Sequence, residues 1–200
     1  MNITECLLDI HNKTKLGNTT VAACVRAQGK KRLWDERPAP ACDTIVLHYI
    51  SAVKIAPRRP FTLACILKIF CDFGVSSHYL IRRNGVILRL APEEKKAWHA
   101  GGSLMPGQDK RTAVNNFSIG IELVATPDSG FTQKQYSACA RLCRDIEKRH
   151  GKKFNYVGHE DIAGKAAKRL GLRKNVKRDP GPLFDWAFFN SLLRRQAKAG

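Results

Sequence analysis

Two hydrophobic periods alternate along this chain. Residues 44–50 form an unbroken β-branched and apolar run, the pattern of a strand buried on both faces. Residues 117–124 repeat it, interrupted only by Glu122 near the end. Between them, Thr62 opens a helical stretch to about Phe73, with Leu63, Ile66, Leu67, Ile69 and Phe70 apolar and Gly74 as its stop. Residues 78–82 and 86–90 flank Asn84-Gly85, the strongest short hairpin signal. Thr132 and Gln135 form a capping box for a helix to about His150, stopped by Gly151, with Tyr136, Cys139, Ala140, Cys143 and Ile146 as its core stripe. Residues 154–157 predict a short strand delivering His159, residues 161–170 a helix, and residues 183–193 a closing amphipathic helix. Strands alternating with helices around a central hairpin predict a single α/β domain, a mixed central β-sheet flanked by helices.

Residues 1–42 carry the weakest pattern and are read as an N-terminal extension, with the main domain at 43–200. Within the extension, residues 5–11 suit a short helix, Gln28-Gly29-Lys30-Lys31-Arg32 an exposed basic turn, and Arg37-Pro38-Ala39-Pro40 a stiff approach to the first strand. From Trp98-His99-Ala100-Gly101-Gly102 to Asn115-Asn116 runs a long glycine-containing loop, either the rim of a site or a plain connector.

Composition narrows the function. With 44% hydrophobic and 26% charged residues, wholesale disorder is excluded, and no run reaches the ~18 apolar residues a membrane helix needs. The N-terminus lacks the basic-then-apolar order of a secretory signal. A net charge of +18 points to a polyanionic partner or simply to a basic soluble surface. Aromatic content is low and no RNA-binding or helix-turn-helix signature occurs, which argues against specific nucleic-acid recognition. The seven cysteines include no C-x-x-C pair; read as free thiols in a largely buried setting, they suit a reducing compartment and a cytoplasmic location.

Two histidines and a carboxylate beside turn residues stand out: His48 ending the first strand, His159 after Gly158, and Asp179 before Pro180-Gly181-Pro182. Two neutral imidazoles and one carboxylate are a donor set for catalytic zinc, leaving one tetrahedral position open. Glu122, a lone carboxylate in an apolar strand, must be paired, exposed at the strand end or functional, because burial alone is costly. It suits a proton acceptor, and Lys177 suits stabilisation of an oxyanion. The residue types do not choose this set over one using His78, His99 or Asp161.

Six segments together resemble the zinc-dependent N-acetylmuramoyl-L-alanine amidases of the second amidase type, the AmpD-like enzymes related to peptidoglycan-recognition proteins. They are Ile45-Val46-Leu47-His48, Ser77-His78-Tyr79-Leu80-Ile81, Ala97-Trp98-His99-Ala100-Gly101, Asn116-Phe117-Ser118-Ile119-Gly120-Ile121-Glu122-Leu123, Gly158-His159-Glu160-Asp161-Ile162-Ala163 and Asp179-Pro180-Gly181-Pro182-Leu183-Phe184-Asp185-Trp186. The resemblance covers roughly residues 42 to 190. It implies zinc ligation by His48, His159 and Asp179, catalysis by Glu122 and Lys177, and hydrolysis of the amide between N-acetylmuramic acid, or its anhydro form, and the L-alanine of the stem peptide. Peptidoglycan fragments or muropeptides are then the partners, with Tyr49, His78, Trp98, His99 and Asn116 as substrate-binding residues; a non-catalytic peptidoglycan-binding module is the alternative. Aspartate at 179, where recognition-protein and phage-lysozyme relatives tend to have cysteine, resembles the AmpD-like branch. Three departures are clear: Tyr49 stands where those relatives often have asparagine, a basic link at 164–176 is longer than theirs, and residues 1–42 have no match.

Overall fold

The computed structural model describes residues 2–38 and 42–194, so Ala39 and Pro40 of the stiff approach lie outside the described residues. A six-stranded sheet has the order β1-β5-β4-β7-β3-β8, from β1 (Ile3–Glu5), β3 (Thr44–Ile50), β4 (Tyr79–Ile81), β5 (Ile87–Arg89), β7 (Ser118–Val124) and β8 (Asn155–Gly158). All pairs are parallel except β4 with β5, the hairpin turned by Asn84 and Gly85, where Gly85 takes φ +83°. The expected mixed sheet is therefore present. β2 (Trp34–Glu36) and β6 (Lys95–Ala97) form a separate antiparallel pair.

One face of the sheet is closed by α3 (Gln133–His150) and α6 (Trp186–Arg194). Tyr136, Cys139, Cys143 and Ile146 of α3 pack there with Ile45, Leu47, Ile119 and Ile121. The capping box at α3 is complete: Thr132 Oγ1 accepts from Gln135 N at 3.1 Å, and Gln135 Oε1 accepts from Thr132 N at 3.0 Å. The opposite face is divided. α2 (Leu63–Phe73) and α1 (Val21–Ala27) cover the Leu80 and Leu88 side, while Ala100, Val114 and Ile162 cover Val46. α2 ends at Gly74 in the left-handed conformation as the sequence suggests, but Thr62 makes no side-chain cap bond.

Two helix expectations are corrected. Residues 5–11 are not a helix: after β1, Cys6 N and Leu8 N donate to Arg89 O and Leu90 O, each at 2.9 Å, so the edge pairing continues and outcompetes local helix formation. Residues 161–170 are two helical turns, α4 (His159–Ile162) and α5 (Lys165–Arg169), because the chain folds back so tightly at Gly164 that a Cβ there would sit 2.6 Å from Glu160 O. The N-terminal segment is woven into the main body: Leu8, Leu16, Val21, Val25, Leu33 and Trp34 share a core with α2 and β4 residues.

Leu33 is fully buried in that shared core. Replacing it with alanine should cost about 2–5 kcal/mol in urea unfolding; a loss near zero would show that the segment packs independently. Glu93 supplies a second test. It accepts from Tyr79 Oη at 2.5 Å and Arg149 Nη2 at 2.6 Å, with His150 Nε2 at 3.1 Å, joining β4 to the end of α3. Burial alone would raise its carboxyl, but these hydrogen bonds outweigh burial and hold it below the ordinary glutamate range. A group depressed in the folded state stabilises above its unfolded value and loses that contribution as pH falls through the folded one. Glu93→Gln should therefore cost about 1–3 kcal/mol at neutral pH, with the gap to the parent closing below pH ~4. A gap constant down to acid unfolding would contradict this account.

Candidate metal centre

The carboxyl ends of three neighbouring parallel strands build the site. In-register pairing of β3 with β7 sets His48 beside Glu122, and pairing of β3 with β8 sets Leu47 beside Gly158. His159 follows at once and opens α4. Asp161 Oδ2 accepts from Gly158 N at 2.7 Å, so this carboxylate ties down the turn. A Cβ on Gly158 would lie 2.8 Å from Pro180 Cδ; the bare α-carbon lets the 179–180 segment close in. There Glu160 N donates to Asp179 O at 2.8 Å and fastens Asp179 next to His159.

His48 Nδ1, His159 Nδ1 and Asp179 Oδ2 converge. The two nitrogens are 3.0 Å apart, and the oxygen is 3.1 Å from the first and 3.0 Å from the second. Three donor atoms this close can all be reached by one ion at the ~2.0–2.2 Å typical of zinc with nitrogen and oxygen ligands. The chemistry of the donors agrees. Burial, followed by the charge of His159, lowers His48 to about 4, so its imidazole is neutral at physiological pH. Burial would raise Asp179, but hydrogen bonds from His159 and His48 hold it below the ordinary carboxylate range, and it is ionised. The far nitrogen of His159 donates to Ala100 O at 3.2 Å, the outer-sphere contact that orients a metal-binding imidazole. Ala100 is itself held, since Asn115 Oδ1 accepts from His99 N at 3.2 Å and Ala100 N at 2.8 Å.

The triad opens into a cleft of about 380 Å³. Glu122 and Lys177 line it, as do Tyr49, Trp98 and His99. A roomier hollow of about 540 Å³ lies between Gly85 and α3, but no histidine or carboxylate faces it. Burial raises the Glu122 carboxyl well above the ordinary range, Asp179 adds to this, and Lys177 opposes it. Glu122 Oε2 is enclosed and has no hydrogen-bond partner among the described residues. Trp98 Nε1 donates to Asp35 Oδ2 at 2.9 Å, and Lys30 Nζ lies 4.4 Å from its ring centre, so the N-terminal segment braces this wall.

Two of the sequence-stated candidates are placed elsewhere. His78 is fully buried beside β7, its Nδ1 accepting from Gly120 N and its Nε2 donating to Lys95 O, both at 3.0 Å. Burial lowers it to about 4. Asn116 does not line the cleft; its neighbour Asn115 does the positioning described above. An apolar flank of Ile69, Phe73 and Val75 was missed, because in sequence these residues read as the helix's core stripe or its continuation. Phe73 is 73% exposed at the cleft edge.

The basic link is docked beside the same site. Arg173 Nη1 donates to Gly102 O at 3.1 Å, and a Cβ on Gly102 would collide with Leu172 O at 1.8 Å. Lys177 is set by its backbone N donating to Ala163 O at 3.0 Å. Lys165, Lys168, Arg169 and Lys174 form no ion pair among the described residues.

Known proteins resemble this chain in sequence and in fold. The 1,6-anhydro-N-acetylmuramyl-L-alanine amidase AmpD of Escherichia coli (strain K12) is 40% identical over 129 residues, 61% of this chain and 60% of that protein. AmpD of Haemophilus influenzae is 34% identical over 179 residues, 80% of this chain and 88% of that protein. The solved complex of E. coli AmiD with anhydro-N-acetylmuramic acid-L-Ala-D-gamma-Glu-L-Lys superposes with a TM-score of 0.58 at 33% identity, over 78% of this chain and 59% of AmiD. The chain thus spans about 60% of the length of the E. coli AmpD it matches. A sequence profile for N-acetylmuramoyl-L-alanine amidase matches residues 37–182, which takes in every residue of the triad and the cleft carboxylate, and the chain belongs to that family.

Proposed function

We propose that this protein is a zinc-dependent N-acetylmuramoyl-L-alanine amidase, which hydrolyses the amide joining N-acetylmuramic acid, or its anhydro form, to the L-alanine of the stem peptide. The observation that carries this reading is the convergence of His48, His159 and Asp179 beside a cleft lined by His159, Asp179 and Glu122, whose Oε2 has no hydrogen-bond partner among the described residues. The anhydro-muramyl peptide bound by AmiD supports the substrate class. Seven free cysteines, five of them buried, suit a reducing interior, and we place the enzyme in the cytoplasm. No helix among the described residues is long and apolar enough to cross a membrane.

His48, His159 and Asp179 would hold the zinc ion. When bound, it supplies Lewis-acid polarisation of the scissile carbonyl and acidifies water towards a pKa of ~7. Glu122 takes the proton of the attacking water on its free oxygen. Its raised proton affinity suits the return step as well, in which it hands that proton to the departing alanine nitrogen. The Lys177 ammonium, at the cleft edge, faces the negative charge that builds on the carbonyl oxygen. Trp98 and the exposed Phe73 offer apolar faces to the sugar, and the cations of the 164–178 segment attract the carboxylates of the peptide.

Glu122→Ala should retain zinc, measured by metal analysis of the purified protein, while turnover of an anhydro-muropeptide falls by ~10²-fold or more. His48→Ala should lose both. A fully active Glu122→Ala, or a His48→Ala that still carries one zinc per chain, would overturn these roles. Turnover on anhydro-muropeptide beside that on intact wall sacculi resolves which form is preferred.

A further inference from the structure

The chemistry above gives no role to His99, the buried imidazole that lines the cleft beside the triad. His99 is 9% exposed, and both of its ring nitrogens are engaged. Its Nδ1 lies 3.1 Å from Nε2 of His48, and its Nε2 lies 3.2 Å from Ser118 Oγ, which is in turn 2.7 Å from Val114 O. Hydrogen-bond direction along this chain is set at its far end. A carbonyl oxygen only accepts, so the Ser118 hydroxyl proton points at Val114. Ser118 Oγ must then accept from His99, which puts the single imidazole proton of His99 on Nε2. Its Nδ1 is left as an acceptor, and the His48 proton that it receives sits on Nε2. The result is that His48 Nδ1, the atom facing His159 and Asp179, carries a lone pair and no proton.

The His99 ring is held firmly for this purpose. It lies against the bare α-carbon of Gly120, where a Cβ would come within 2.5 Å of its Cγ. Its backbone N–H is tied to Asn115 Oδ1 at 3.2 Å. The His48 and His99 ring centroids are 5.2 Å apart with planes at 83°, so the two rings meet nitrogen to nitrogen with their planes twisted about the hydrogen bond.

We propose that His99 is a positioning residue: with Ser118 behind it, it fixes the tautomer and ring plane of His48 so that Nδ1 presents its lone pair to the metal ion. This rests on His48 being a ligand, as proposed above. It departs from the sequence-based placement of His99 among substrate-binding residues, and it gives Ser118 a part in the site.

The test uses the full chain and its His99→Leu, His99→Asn and Ser118→Ala variants. Zinc affinity is read by competition with a chromogenic chelator, the cobalt(II)-substituted form by its visible absorption, and folding by melting of the metal-free protein. His99→Leu should weaken zinc binding by ~10–100-fold and alter the cobalt spectrum. His99→Asn places an amide oxygen near the position of Nδ1, and should recover most of the affinity and the parent spectrum. Ser118→Ala should fall between, and it carries the test alone if His99→Leu does not fold. Parent-like zinc affinity in His99→Leu or Ser118→Ala, or a His99→Asn protein as impaired as His99→Leu, overturns the proposal. His48→Ala separates the two levels. If it keeps zinc, the ligand assignment fails; if it loses zinc while His99→Leu keeps it, only the role of His99 fails.

Discussion

The site depends on β3 lying between β7 and β8 with all three strands parallel. Parallel neighbours bring the same ends of their strands together, and that end of an open α/β sheet is where side chains from different strands can meet. His48 and His159 are 111 residues apart, yet their Nδ1 atoms are within 3.0 Å because Leu47 pairs with Gly158. A one-residue slip between β3 and β7 would move Glu122 off its row beside His48 and turn its side chain to the opposite face. The continuous apolar runs make such a slip costly, since both faces of these strands are covered.

Around this frame, polar valence is distributed unevenly. Behind the centre nearly every buried polar atom has a partner: His78 bonds at both nitrogens, Ser77 Oγ donates to Gly120 O at 2.7 Å, and Gln135 Nε2 reaches Val124 O at 2.9 Å. At the cleft the opposite holds. Three donor atoms point at one another with a single ionised carboxylate among them, and a neighbouring glutamate oxygen has no partner among the described residues. Among the described residues only one other buried polar side-chain atom, Arg37 Nε, lacks a partner, so an enclosed carboxylate oxygen beside three converging donor atoms marks where chemistry is to be done.

Much of this was legible in the sequence, for physical reasons. The 44–50 and 117–124 runs are strongly β-branched, Asn84-Gly85 encodes its turn, and Thr132 with Gln135 encodes a helix start, so β3, β7, the hairpin and α3 follow locally. The spatial meeting of His48, His159 and Asp179 has no local signal; the family resemblance pointed to those residues, and only the register of three strands brings them together. The N-terminal segment was opaque because β1 and β2 are three residues each and owe their form to β5 and β6 rather than to their own propensity. His78 and His99 looked alike in sequence. They are neighbours, with ring centroids 5.7 Å apart, but His78 bonds to the backbone of Gly120 and Lys95 while His99 lies against the bare α-carbon of Gly120 and leans on His48.

Arg37 joins these two halves of the molecule. Its guanidinium lies among the carbonyl oxygens of Glu93, Lys95, Asn115 and Ser118, at 3.0, 2.6, 3.0 and 3.1 Å. Those carbonyls belong to the strand ends and the loop that carry His99 and its support. Detaching the N-terminal segment would leave several acceptors stranded inside the protein, so that segment has no inexpensive way to open alone. The centre and the first part of the chain should therefore protect each other's amides from exchange and release them together, as one cooperative unit.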